Sequence, residues 1–191
     1  MGGVENYYMS LLTIENFFRI IAHRISAAIS TFPNVDAWLY TAMLLLLFTV
    51  VTLPIGFQFG FLKTEFLRVS WSNIIAIIAS SLFMPAITEE LFFRVLLLPQ
   101  STENVSPLVL LLWGCISLVL FIVYHPLNAV SFFPNGRETF FNAVFLVSTA
   151  LLGLVCSLAY VQSGSLWTAV ALHWLTVVVW LLLLGGYRKL Y

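Results

Sequence analysis

Five ionisable side chains interrupt segments that are otherwise Leu, Phe, Val and Ala: Glu89, Glu90, Arg94, His125 and His173. On a helix Glu90 and Arg94 stand at i and i+4, so carboxylate and guanidinium can pair on one face. Glu89 points about 100° away and lacks that partner. The pair reads first as a buried tie between helices. Glu89 is then the group left for chemistry, because a tie needs no second adjacent carboxylate. His125 follows Phe121 by one turn and precedes Pro126, where a helix is expected to kink or end. His173 stands alone in an apolar run. Each histidine taken singly reads as a hydrogen-bonded core imidazole. A carboxylate and two histidines on separate helices can also converge in a bundle core, and that set suits hydrolysis. Glu and His would take a proton from water, and a second His would donate to the developing oxyanion. The same residues fit two other uses. One is a zinc site, although no His-Glu-x-x-His helix is present. The other is a proton relay in a transporter, although no duplicated pair of broken helices accompanies it.

These groups must be positioned by elements that live in lipid. The chain is 61% hydrophobic and 8% charged, whereas soluble domains run near half and a quarter. It has too little polar surface to coat a globule in water. Eight Lys+Arg balance eight Asp+Glu with no basic cluster, which argues against a nucleic-acid partner. Cys115 and Cys156 lie in apolar runs and indicate neither a disulfide framework nor a Cys-based zinc site. Five stretches reach the roughly 20 apolar residues that a helical span needs: residues 37–61, 71–98, 108–125, 139–161 and 166–184. Backbone groups in hydrocarbon must be satisfied internally, so these are helices. The expected fold is an all-α, polytopic transmembrane helix bundle over residues 37–191, preceded by an N-terminal segment, 1–36. It belongs in a bacterial cell membrane or an organelle membrane, with the bilayer as its first partner.

In that N-terminal segment Ile14, Phe17, Phe18, Ile21, Ile25, Ala28, Ile29 and Phe32 recur at helical spacing, with Glu15, Arg19, His23 and Arg24 opposite. The pattern predicts an amphipathic interfacial helix whose arginines and His23 meet water or lipid headgroups. Across five spans Lys63, Arg68, Arg137, Arg188 and Lys189 fall on one side, which should be cytoplasmic. Depth sets a constraint on the site. At about 1.5 Å per residue, Glu89 and His173 lie roughly 14 and 10 Å from one membrane face, whereas His125 lies roughly 26 Å from it. Bringing them together requires tilt, a break near Pro85, or a third helix that begins outside the hydrocarbon.

In order along the chain, Glu89-Glu90-x-x-x-Arg94, Phe121-x-x-x-His125 and His173 on a late helix resemble the CPBP family. This is the CAAX protease and bacteriocin-processing (ABI) family, which includes the type II CAAX prenyl endopeptidases. The resemblance spans roughly residues 74–180. It implies an intramembrane endopeptidase of the glutamate type, in which metal-free chemistry is favoured and no organic cofactor is required. Glu89 and His125 would activate water, Glu90 and Arg94 would support them, and His173 would belong to the oxyanion site. The substrate would be a membrane-associated or lipidated peptide, held in a cavity that Phe92, Phe93, Phe121 and Trp174 could line. The family's fourth residue after the last histidine is commonly Asn or Asp, and here it is Val177. Valine donates no hydrogen bond, and loss of one oxyanion donor typically costs about 10²- to 10³-fold in rate. Thr176 and Asn128 are the neighbouring donors that could substitute. The alternative is a non-catalytic scaffold or bacteriocin-immunity protein of the same fold.

Overall fold

The computed structural model describes residues 2–191, apart from the side chains of residues 2–14 and of Ser101. Among the described residues five helices are long and apolar enough to cross a membrane: Val35–Gln58, Trp71–Leu96, Pro107–Ser131, Ala143–Ser163 and Leu166–Leu183. The chain is an all-α, multi-pass integral membrane protein. Each span opens on a Ser or Asn whose side chain accepts a first-turn N–H: Asn34, Ser70, Ser106, Asn142 and Ser165. These caps satisfy donors that the helix itself leaves orphaned.

The fourth span packs against the first, third and fifth. It buries Thr149, Leu152, Gly153, Cys156, Ala159 and Tyr160 at helical spacing. The first span turns Thr41, Leu44, Phe48, Thr52 and Gly56 inward. Its small and hydroxylic side chains permit close helix approach. Thr41 and Thr52 donate back to the carbonyls of Ala37 and Phe48 at 2.7 and 2.8 Å, so they carry no unpaired polar group into the bundle. The outward residues Leu39, Leu46, Leu47 and Val50 are exposed on the face that hydrocarbon would cover.

Two proline expectations come out differently. The third span does not end at Pro126 but continues to Ser131, because a proline removes a single hydrogen bond and the neighbouring turns hold. The second span is broken at Pro85, one of the three alternatives that the depth constraint left open. Met84, ahead of Pro85, adopts φ −132° and ψ 109°, the extended conformation that a following proline imposes. Around this break the helix widens into π-helical turns at Leu82–Ile87 and again at Leu91–Leu96. Between them lies one α-helical turn, Thr88–Glu90. The fourth span starts at Ala143 rather than Thr139, because Thr139 lies in a separate short helix, Arg137–Phe140, and Asn142 caps anew.

The end of the fifth span is closed by the loop that follows the first. Backbone N–H groups of Leu67, Glu65 and Lys63 donate to the carbonyls of Leu182, Leu183 and Leu184 at 2.8, 2.9 and 3.4 Å. These are the carbonyls that a helix C-terminus leaves unpaired. At the same end Arg188 Nε lies 2.9 Å from Glu65 Oε1, and the Lys189 ammonium sits 4.9 Å from the Phe61 ring centroid.

The N-terminal helix, Gly2–Ser30, lies against the end of the second span and against the fifth. Of its expected apolar face, Ala28 is buried and Ile25 packs on the core, while Phe17, Phe18 and Ile29 stay exposed. The side chain of Ile14 lies outside the described residues. Arg24 does not face water or headgroups as expected. Its Nε and Nη2 each lie 2.6 Å from one oxygen of Glu103, and Nη1 donates to the Leu96 carbonyl at 2.8 Å. The helix amphipathicity placed Arg24 on the polar side but could not reveal a carboxylate 79 residues away. Partial burial acts to raise the Glu103 pKa, yet the hydrogen bonds and charge of Arg24 outweigh it and hold the carboxyl below its usual value. A carboxyl depressed by folding stabilises the fold above its unfolded pKa, about 4.3. That contribution is lost as pH falls through the lower folded value. Melting in detergent between neutral pH and about pH 3 should show wild type losing an increment of about 1 kcal/mol after screening, which Glu103→Gln lacks throughout. Parallel pH profiles for the two proteins would show that the pair contributes nothing.

Candidate active site

The single α-helical turn between the two widened stretches carries both carboxylates, with Arg94 one turn further on. Wide turns of this kind recur at functional sites because they re-aim neighbouring side chains. Glu90 and Arg94 are fully buried, and the Arg94 Nε lies 3.0 Å from Glu90 Oε2. Arg94 Nη2 also donates to the Gly153 carbonyl at 3.0 Å. Its guanidinium carbon stands 4.3 Å from the centroid of the Phe121 ring, a cation on an aromatic face. The i, i+4 pair read from sequence is therefore present, and it reaches the third and fourth spans as well.

Glu90 has a second partner that spacing did not disclose. His173 Nδ1 lies 2.7 Å from Glu90 Oε1. A carboxylate can only accept, so Nδ1 is the donor, and the imidazole is held in one orientation. Its Nε2 then faces Glu89, whose Oε2 lies 3.9 Å away and has no hydrogen-bond partner. The paired and the unpaired carboxylate thus stand on adjacent residues. Glu90 is spent on Arg94 and His173, and Glu89 is not.

His125 is oriented differently. Its Nδ1 lies 2.8 Å from the Phe121 carbonyl one turn back. That oxygen accepts only, so Nδ1 donates and Nε2 of the neutral ring keeps its lone pair. Phe121 joins the two histidines, with its ring centroid 4.9 Å from that of His125 and 5.9 Å from that of His173. Ser117, one turn before Phe121, donates to the Phe93 carbonyl at 2.6 Å and pins the third span to the second. Sequence quoted Phe121 as a motif residue but could not show that it packs on Arg94 and both imidazoles. Gly153 was missed altogether. A Cβ there would come within 2.8 Å of Phe121 and 3.3 Å of the Arg94 guanidinium. A single glycine within the otherwise side-chain-bearing stretch 143–163 was the available signal.

Glu89, His125 and His173 line one cavity of about 780 Å³, within the range of ligand-binding pockets. Its aromatic walls are not the expected ones. Phe48, Tyr124, Phe140, Phe145 and Trp180 line it, together with Val177 and Asn128. Phe92 points outward and is exposed, Phe93 is buried behind the site, and Trp174 donates to the Ile78 carbonyl on the far side of the fifth span. Residues adjacent to a catalytic motif in sequence point around a helix, so most leave the site's face. Among the described residues no three His, Cys, Asp or Glu side chains are arranged as a metal-ligand set.

Membrane-spanning helices around a buried carboxylate–imidazole cluster, opening on a largely apolar cavity, make a protease-like intramembrane centre. Residues 70–179 match the family model described as Type II CAAX prenyl endopeptidase Rce1-like. The match covers more than half of the chain, and the chain belongs to that family. It runs from the cap of the second span almost to the end of the fifth, and so takes in the whole Glu–Arg–His cluster. No curated protein and no solved structure matches the chain.

The two adjacent glutamates should respond oppositely to substitution. Glu90→Ala leaves Arg94 buried without its carboxylate and should destabilise the fold by about 3–5 kcal/mol. Glu89→Gln removes only a 3.9 Å contact with His173 Nε2, beyond hydrogen-bonding distance, and should cost no more than about 1 kcal/mol. Unfolding in detergent, followed by tryptophan fluorescence, checks this; equal losses at both positions would contradict the division of labour.

Proposed function

We propose that this protein is an intramembrane endopeptidase that hydrolyses peptide bonds of membrane-associated proteins, prenylated CAAX-type proteins among them. The observation that carries the reading is the shared cavity lined by Glu89, with an unpaired carboxylate oxygen 3.9 Å from His173 Nε2, and by the oriented imidazole of His125. Water held between Glu89 and His125 gives one proton to Glu89 as it attacks the scissile carbonyl, and that proton passes to the leaving amine as the C–N bond breaks. Negative charge develops on the carbonyl oxygen on the His173 side. There the ring faces the oxygen through Nε2, while its Nδ1 stays on Glu90. Glu90 and Arg94 do not touch the substrate in this scheme. They hold His173 and the carboxylate turn in place, as the orienting group does in other acid–base centres. The apolar cavity suits a hydrophobic or lipidated peptide segment.

A second reading rests on Val177, which lines the cavity and offers no hydrogen-bond donor. In that reading the same fold acts as a scaffold or immunity factor, and the polar cluster only holds helices together.

The test is proteolysis by purified protein in nanodiscs, with prenylated and unprenylated membrane peptides. Glu89→Gln and His125→Ala should each lower the rate by about 10²- to 10⁴-fold while the proteins stay folded. A chelator should leave the rate unchanged, and chelator-sensitive cleavage would reassign the centre to metal chemistry. A folded wild type that cuts no peptide of either kind would favour the scaffold.

A further inference from the structure

The third span is buried along one narrow strip, Ser117, Phe121, His125, Asn128 and Ala129, and is otherwise turned outward. Each polar residue of that strip but one has a structural task. Ser117 donates to the Phe93 carbonyl, and His125 Nδ1 pairs with the Phe121 carbonyl. Asn128 is 8% exposed, lines the cavity, and makes no side-chain hydrogen bond among the described residues. Its main chain is satisfied without the side chain, because its carbonyl accepts from Phe132 and Phe133 at 2.8 and 2.9 Å. The asparagines that cap spans, Asn34 and Asn142, use their side chains on helix N-termini instead. A carboxamide within a membrane helix is unfavourable for propensity and costly to leave unpaired. Such a group calls for an explanation.

We infer that the Asn128 carboxamide is the neutral hydrogen-bond donor to the oxyanion of this site, the position that Val177 cannot fill. The inference rests on the hydrolytic reading above. Asn128 stands three residues after His125 on the same helix face, so the two side chains are neighbours one turn apart. The other nearby candidate is Thr176, which also lines the cavity but whose Oγ1 is enclosed and partnerless. The Asn128 amide is not enclosed in that way, so both of its N–H donors remain available from the cavity side. A neutral amide stabilises developing negative charge without taking a proton from the water held between Glu89 and His125. The centre is then built from a carboxylate, two imidazoles and a carboxamide on the second, third and fifth spans.

The experiment compares wild type with Asn128→Leu, which keeps the volume and removes the amide, using the peptide panel above. The expected result is a fall in kcat of about 10²- to 10³-fold with KM nearly unchanged. Affinity for an uncleavable ground-state peptide should stay at the wild-type value, while a tetrahedral phosphinic peptide should bind weaker by the same factor as the rate. A purely structural role would not separate these two ligands. If Asn128→Leu does not fold, Asn128→Ala carries the same measurements, since it also removes the amide and adds no bulk. Cleavage at the wild-type rate, or a loss seen equally in ground-state binding, overturns the assignment and leaves the hydrolytic reading standing. No cleavage by wild type overturns both.

Discussion

A carboxylate and a guanidinium taken into a bilayer each carry a solvation cost of several kcal/mol, and only full pairing offsets it. Glu90 approaches that requirement with both oxygens, one ion-paired with the Arg94 Nε at 3.0 Å though outside hydrogen-bonding geometry, the other accepting from the His173 Nδ1. Arg94 extends the arrangement to the Gly153 carbonyl and to the face of Phe121. The second, third, fourth and fifth spans thus converge on one buried charge pair. Packing follows from it: Gly153 has no side chain because Phe121 and the guanidinium occupy that space. The third span presents its few inward residues at the matching spacing.

The same constraint explains why two glutamates stand side by side. A helix turn offers adjacent residues different directions, so one carboxylate can be consumed by structure while its neighbour reaches the cavity. The widened turns on either side of Thr88–Glu90 set those directions, and the break at Met84–Pro85 lets the carboxylate turn sit at a different angle from the start of the span. The paired carboxylate and the one that lines the cavity are neighbours in the chain. His173 belongs to both, since one ring nitrogen is held by the structural carboxylate and the other faces the free one.

Surrounding elements complete the site at its two ends. The Arg24–Glu103 pair anchors the N-terminal helix beside the carbonyl of Leu96, two residues beyond Arg94. The loop 63–67 closes the last carbonyls of the fifth span, ten residues beyond His173. Neither contact lies in a repeating pattern. Each joins segments far apart in the chain, and each satisfies polar groups that a membrane environment would otherwise leave exposed to hydrocarbon.

Hydropathy fixed the five spans to within a few residues, apart from the end of the third and the start of the fourth, because crossing a bilayer is a local demand on length and composition. Residue type and helical period also identified Glu89, Glu90, Arg94, His125 and His173 as the residues of interest, and predicted the Glu90–Arg94 pair from i, i+4 spacing alone. Partner choice between elements was another matter. That His173 turns to Glu90, that Arg24 finds Glu103, that Pro126 leaves its helix intact, and that Phe92 and Trp174 face away from the cavity all depend on which faces meet after packing. Periodicity states which side of a helix is apolar or polar. It carries no information on what stands opposite, and in a bundle buried in lipid the energetics of every charged group are set by what stands opposite.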